Sequence, residues 1–369
     1  MWVHGTGPQT LTGLLPSIRD GRYGTMTKAT TTRMNTVSPG ANRRTFLAGS
    51  GAAGLTFVAP ELGSAVGEAP SDGRLRLGVI SDVHQDVMHD GVDRITAFVD
   101  AMTHRGAQAI INLGDFCVPH PRNDTFLARW NTFPGEKFHV LGNHDTDGGY
   151  RREQAVEYYG SPGRYYSQDF HGLHLVVLDG NDPDGKPGYP CDVNDEQLRW
   201  LETDLRDTDR PTVILIHQPI DRFDKHVRSS VKVRQVLAEA NRAAGFRKVL
   251  LVLAGHAHLD YLVESDGIPH VQINSASYVW VDRKHDNYGQ QLQAAHPWLA
   301  NTCPYADPLW ATLTFDFVAG EILLEGREST WVGPDPWELG IAEDDYQRSR
   351  KLSRPAITGR TIEIASGRH

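Results

Sequence analysis

Five short apolar runs in this chain end abruptly in side chains that can hold a metal ion or move a proton. Leu75 to Ile80 leads into Ser81-Asp82-Val83-His84, and Ala109 to Leu113 leads into Gly114-Asp115. Phe138 to Leu141 leads into Gly142-Asn143-His144-Asp145, Val213 to Ile216 into His217, and Val249 to Ala254 into Gly255-His256-Ala257-His258. Buried strands tipped with polar groups are how open α/β folds build sites, at the carboxyl edge of a sheet. Asp82, His84, Asp115, Asn143, His217, His256 and His258 together offer two carboxylates, four imidazoles and an amide oxygen. Two ions bridged by one carboxylate use such a set more economically than a single ion does. Mixed imidazole and carboxylate ligation suits Zn, Mn or Fe. A pair of these ions can clamp a phosphate, generate a bridging hydroxide near neutral pH and stabilise in-line displacement at phosphorus. His144 is then left over as a proton donor to the leaving oxygen, with Asp145 fixing its orientation and raising its basicity.

Each motif alone is weak, because a Gly-Asp pair is usually a turn and a lone histidine is usually a satisfied core residue. Their conjunction at five strand ends carries the argument. The elements between them alternate. Ile95, Phe98, Val99 and Met102 have helical spacing with Gly106 as the stop, and 121–133 is a weaker helix. A short helix runs from Arg152 to Tyr159 and closes at Gly160. Tyr165 to Leu178 reads as a hairpin about His171-Gly172, and the Gly/Pro/Asp-rich segment Asn181 to Asp192 as a loop over the site. Asn194-Asp195-Glu196-Gln197 caps a helix whose apolar face is Leu198, Leu201 and Leu205. Val233, Val236, Leu237 and Ala240 mark another. Strands follow at Asp260 to Val263, His270 to Asn274, Trp310 to Phe317 and Glu321 to Glu325, with a turn at Ala319-Gly320. This order suggests two sheets packed face to face with helices outside, although a single doubly wound sheet has the same periodicity. Residues 282–308 form an insertion rich in His, Gln, Asn and Pro, and 334–369 show no clear period.

The five motifs, in this order and at strand ends, resemble those of the calcineurin-like metallophosphoesterase superfamily over about residues 75–280. The resemblance implies a four-layer α/β/β/α sandwich. It further implies one metal on Asp82, His84, Asp115 and His258 and a second on Asp115, Asn143, His217 and His256, with Asp115 bridging and His144 and Asp145 as the acid pair. Purple acid phosphatases carry a tyrosine ligand where this chain has Val118, and usually Gly where it has His84, so an iron-tyrosinate enzyme is not expected. The ninety or so residues after Tyr278 are too few for the substrate domain of two-domain nucleotidases. The Asp-x-His plus Gly-Asn-His-Asp form is similar to small bacterial phosphodiesterases.

The expected function is hydrolysis of small phosphate esters, mono or di. The alternative is a non-catalytic metal- or phosphate-binding protein of the same fold. A third class, metal-dependent hydrolysis of other bonds, lacks support because the His-x-His-x-Asp-His run of β-lactamase-like hydrolases is absent. His89, His120, Asn123 and Tyr150 lie near the motif loops as candidate substrate contacts, and Trp280 and His285 belong either to a lid or to a sheet-edge cover. The 369 residues carry a formal net charge of −9, which argues against a nucleic-acid polymer as partner.

Residues 1–41 read as a disordered extension. Arg43-Arg44 before a weakly apolar Gly/Ala run in 42–70 resembles a twin-arginine export signal, too short for a stable membrane span. Its distance from the first residue suggests Met26 or Met34 as the start. Export would place the mature domain, 71–333, in the periplasm or outside the cell and would let Cys191 pair with Cys303.

Overall fold

The computed structural model describes residues 73–364 apart from 187, 222–226, 282–283 and 341–352. The expected extension at 1–41 and signal at 42–70 lie outside the described residues.

The alternation of side chains along the strands decides the layering. In β1 (Arg74–Ile80), Leu75, Leu77 and Val79 enter one core while Ile80 enters another on the opposite face. In β6 (Thr212–Ile216) Val213 and Leu215 enter the first of these cores, and Ile214 and Ile216 enter a third. Successive residues of a strand point to opposite faces, so each sheet is apolar on both sides and must be covered on both. The shared core lies between the sheets. The outer face of the first sheet is covered by α1 (Gly91–His104), α2 (Asp124–Asn131) and α3 (Arg152–Tyr159), through Ile95, Phe98, Val99, Met102, Phe126, Trp130 and Ala155. Leu198, Leu201 and Leu205 of α4 (Asp195–Asp207) and Val233 and Leu237 of α5 (Ser230–Ala244) cover the second sheet. This is the α/β/β/α sandwich, with two mixed sheets.

The first sheet has the order β14 (Arg360–Glu363), β13 (Glu321–Glu325), β12 (Ala311–Asp316), β1, β2 (Ala109–Asn112), β3 (Glu136–His139). The second runs β4 (Tyr166–Phe170), β5 (Leu173–Val177), β6, β7 (Val249–Ala254), β9 (Ile268–Gln272), β8 (Tyr261–Ser265). Strands β1, β2 and β3 are parallel, as are β5, β6, β7 and β9. Their carboxyl ends carry every one of the five polar motifs.

Local chemistry sets the helix boundaries. Asn194 accepts from Gln197 N at 2.8 Å and caps α4, while Gly160, at φ 69°, ends α3. Two stretches are more ordered than their composition suggests. The insertion contains α6 (Gln290–Ala295) and β11 (Thr302–Pro304), which pairs antiparallel with β10 (Tyr278–Trp280). The C-terminal segment without clear period supplies β14. It is held from below by the buried carboxylate of Asp260, which accepts from Thr358 N at 3.0 Å and faces Arg360 Nη1 at 2.7 Å. A partner strand and a buried ion pair, rather than an apolar period, specify this edge. No disulfide joins Cys191 to Cys303, and no helix among the described residues is long and apolar enough to cross a membrane.

One buried histidine ties the β4–β5 hairpin to α4. His174 Nδ1 lies 2.8 Å from Asp169 and Nε2 lies 2.9 Å from Asp204. Burial opposes its charge, but the two carboxylates outweigh this and raise its pKa above 6.5. Because the folded value is the higher one, the stabilisation is complete below the unfolded value and fades as pH rises through the folded one. The variant His174→Gln should therefore lose more Tm at about pH 5.5 than at about pH 9.5, by roughly 1–3 °C in a thermal melt. Equal losses at both would count against the ion pairs.

Candidate metal centre

The five motif loops continue to hydrogen-bond one another after their strands stop. Asp82 N donates to Gly114 O at 3.0 Å, His84 N to Asp115 O at 2.9 Å, and Gly255 N to His217 O at 2.9 Å. Such spacing leaves no room for side chains at two glycines. A Cβ on Gly142 would overlap the amide and carboxylate of Asp115, and one on Gly255 would strike Ser81 Oγ. The loops also bend sharply. Asp82, His84, Asp115, His256 and His258 all have positive φ, between 50° and 70°.

This lacing brings the donor atoms into two groups. Asp82, His84 and His258 form one, and Asp115, His217 and His256 the other, with ligand atoms within 4.8 Å of one another in each. Asp115 Oδ2 lies 3.1 Å from His217 Nε2 and 3.6 Å from His84 Nε2, so a single carboxylate oxygen reaches both groups. Three features suit metal ions at these positions. The inner nitrogens are freed for ligation, because His217 Nδ1 is 2.8 Å from Leu113 O and His258 Nδ1 is 2.7 Å from Tyr278 O. His84 Nε2 and His258 Nε2 face each other at 3.3 Å, where two lone pairs repel unless a proton or a cation lies between them. Asn143 Oδ1 is buried with no hydrogen-bond partner among the described residues. An oxygen- and imidazole-rich set without thiolate fits Zn, Mn or Fe.

The charges of the chain itself already couple these groups. Burial raises the Asp82 carboxyl, yet His258 outweighs it and holds the group at about 2. Burial depresses the His84 imidazole well below its usual range. His217 behaves oppositely: burial lowers it, but Asp115 carries it up to about 9. Metal ligands must shed such protons, so ion binding and proton release are linked here.

The acid pair departs from expectation. Asp145 does not face His144; its carboxylate accepts from Gly142 N at 2.7 Å, Phe116 N at 2.7 Å and Cys117 N at 3.2 Å. It braces the third motif loop against the second, because three main-chain amides outcompete one ring nitrogen. His144 Nδ1 instead meets Asp147 Oδ2 at 2.7 Å, and Tyr189, from the loop between Asn181 and Asp192, donates to Asp147 Oδ1 at 2.7 Å. Burial disfavours the imidazolium, but Asp115 and Asp147 raise His144 to about 9. With Nδ1 engaged, Nε2 is the ring nitrogen left for another partner. Sequence spacing missed Asp147 and Tyr189; a carboxylate three residues after a loop histidine was the available signal.

Three of the four candidate substrate contacts have partners within the chain, and Tyr150 has only a neighbour. Asn123 donates to Asp86 Oδ1 at 2.9 Å and Val118 O at 3.0 Å, a loop brace. His120 caps the 3-10 turn Pro121–Asn123 by accepting from Arg122 N. The His89 ring packs on Tyr288 and His296 of the insertion, and Tyr150 lies beside Gly148. Trp280 does stand over the centre, with ring centroids 5.7 Å from His84 and 6.0 Å from His144.

The family model for calcineurin-like phosphoesterases matches residues 75–260, just over half of the chain. The chain belongs to that family. Among solved structures it is similar to a dimetal phosphatase from Danio rerio, at 16% identity and TM-score 0.53, covering 79% of this chain and 99% of that one. It is also similar to GAP50, the anchor in the inner membrane complex of Plasmodium, at 12% identity and TM-score 0.47, covering 79% and 90%. The first likeness agrees with the two-sheet sandwich of this chain. No curated protein matches.

If Asp145 is a brace, Asp145→Asn should place an amide N–H against main-chain donors and cost about 1–3 kcal/mol of stability. A fall in Tm measured by calorimetry, without selective loss of any one leaving group, is the expected result.

Proposed function

We propose that this phosphoesterase hydrolyses small phosphate esters, as a phosphodiesterase or phosphomonoesterase, on two transition-metal ions. The observation that carries this reading is one carboxylate oxygen, that of Asp115, within reach of two histidine-rich donor groups beside an aspartate-held imidazole. Asp82, His84, Asp115 and His258 would hold one ion, and Asp115, Asn143, His217 and His256 the other. When bound, two such ions supply Lewis acidity and an activated water.

The chain's own residues do the rest. His144 Nε2 carries the proton that the leaving oxygen needs, while Asp147 holds the imidazole by Nδ1 and favours its protonated form. Tyr189 clamps Asp147 from the covering loop, and Trp280 narrows access to the centre. The acidic net charge of the whole chain disfavours a polymeric polyanion and leaves attraction of a small anion to the centre itself.

Metal analysis of the purified protein, combined with a screen of mono-, di- and cyclic phosphates, tests the reading. Asp115→Asn should weaken both ions and abolish turnover; an active variant with two tightly held metals would refute the shared ligand. His144→Ala and Asp147→Asn should retain the metals and slow esters of poor leaving groups, by about 100-fold or more and about tenfold respectively. Nitrophenyl esters should suffer less. A uniform loss on both ester types would remove the acid assignment.

We also infer export by the twin-arginine route, supported by Arg43-Arg44 ahead of the small-residue apolar run. Replacing both arginines by lysine should leave the protein inside the cell, as read by fractionation. Unchanged export would dismiss the signal.

A further inference from the structure

Tyr278 has a buried hydroxyl with no hydrogen-bond partner among the described residues. The residue lies on β10, where its backbone is committed: its carbonyl faces His258 Nδ1 at 2.7 Å, and its N–H donates to Ser275 Oγ at 3.2 Å. Pairing with Pro304 on β11 holds the strand. Val87, Met88 and Leu299 pack with the ring in an apolar satellite core. The ring centroid is 5.1 Å from His84, 5.1 Å from His258 and 4.8 Å from Trp280.

The side chain is 0% exposed, yet its oxygen has no hydrogen-bond partner among the described residues. Phenylalanine would fill the same space without the cost of desolvating that oxygen. His84 and His258, which pack on the ring, stand 3.6 Å from Asp115 and 3.2 Å from Asp82 respectively. The phenol therefore lies beside the donor group of Asp82, His84 and His258. At the centre beside it the chain presents mostly acceptors: carboxylates, imidazole lone pairs and the Asn143 oxygen. A phosphoryl group brings further acceptors, and a phenol at neutral pH is a donor.

We propose that the Tyr278 hydroxyl donates a hydrogen bond to a non-bridging phosphoryl oxygen of the substrate, at the ion held by Asp82, His84 and His258. This rests on the phosphate-ester reading above. It adds a substrate contact from the β10–β11 ribbon, outside the five motifs, and explains why a polar atom is kept in an apolar cluster.

The test compares wild type and Tyr278→Phe, each reconstituted with Mn(II), using inorganic phosphate as the probe in titration calorimetry. The variant should keep its metal content, keep or raise its Tm, and bind phosphate about tenfold more weakly. Its kcat/KM should fall by a similar factor. Unchanged phosphate affinity and unchanged kcat/KM would overturn the proposal while leaving the phosphoesterase reading intact. Loss of metal, a lower Tm or failure to fold would overturn it too, because the hydroxyl would then have a structural partner. A wild type that binds no phosphate and cleaves no ester would remove the parent reading, and this is visible before any variant is made.

Discussion

The centre depends on how Asp115 is held. Its carboxylate is buried, its Oδ1 accepts from His144 N at 2.8 Å, and its Oδ2 faces His217 and His84 from opposite donor groups. An anion in this position is tolerable only because cationic or cation-binding groups surround it, and removing any of them leaves an uncompensated buried charge. The same residue positions the backbone of the third motif, so the two donor groups and the loop of His144 share one anchor. A shift of Asp115 would disturb all three.

Holding it there requires an unusual backbone. Among the described residues, the non-glycine positions with positive φ are Asp82, His84, Asp115, His256 and His258, together with His171 and Asp266 in hairpin turns. The two turn residues precede glycines and follow ordinary hairpin geometry. The other five all belong to the two candidate metal-ligand groups. Left-handed backbone at a non-glycine residue costs roughly 1 kcal/mol or more, and persists only where surroundings impose it. Here the surroundings are the inter-loop hydrogen bonds that continue the parallel ladders past the strand ends. Asp and His are among the side chains that tolerate this region best. Residue types that bind metals and residue types that accept the bend therefore coincide.

Much of this architecture was legible because it follows from short-range rules. Two-sided apolar strands such as Val213 to Ile216, the Asn194 cap and the Ile95–Met102 stripe each specify their own element. Polar tips at the ends of those strands then converge, since parallel strands deliver their carboxyl ends to one edge. What escaped depends on competition between partners. Asp145 and Asp147 are both within three residues of His144, and only the positions of the Phe116 and Cys117 amides decide which carboxylate is free for the ring. Likewise β14 has little apolar signal of its own; Asp260, about a hundred residues earlier, specifies it. Asn123 looked available for a substrate because nothing in its local sequence announces that Asp86 and Val118 already use its amide.

The division between rigid and adaptable parts follows from the same geometry. The metal-donor side chains lie at the ends of buried parallel strands, and most are almost fully buried themselves. His144 and Asp147 are partly exposed, and Tyr189 is 48% exposed. The loop bearing Tyr189 is tied down at its start by a dense ionic cluster. Asp179 and Asp182 accept from Arg152 and Arg164 at 2.6–3.1 Å, and Asn181 donates to Leu141 O at 2.9 Å. The loop can therefore vary at its tip without loosening the strand end beneath. That separation divides the architecture: the strand ends fix the candidate donors, while the loop tip and the β10–β11 ribbon border them without setting their positions.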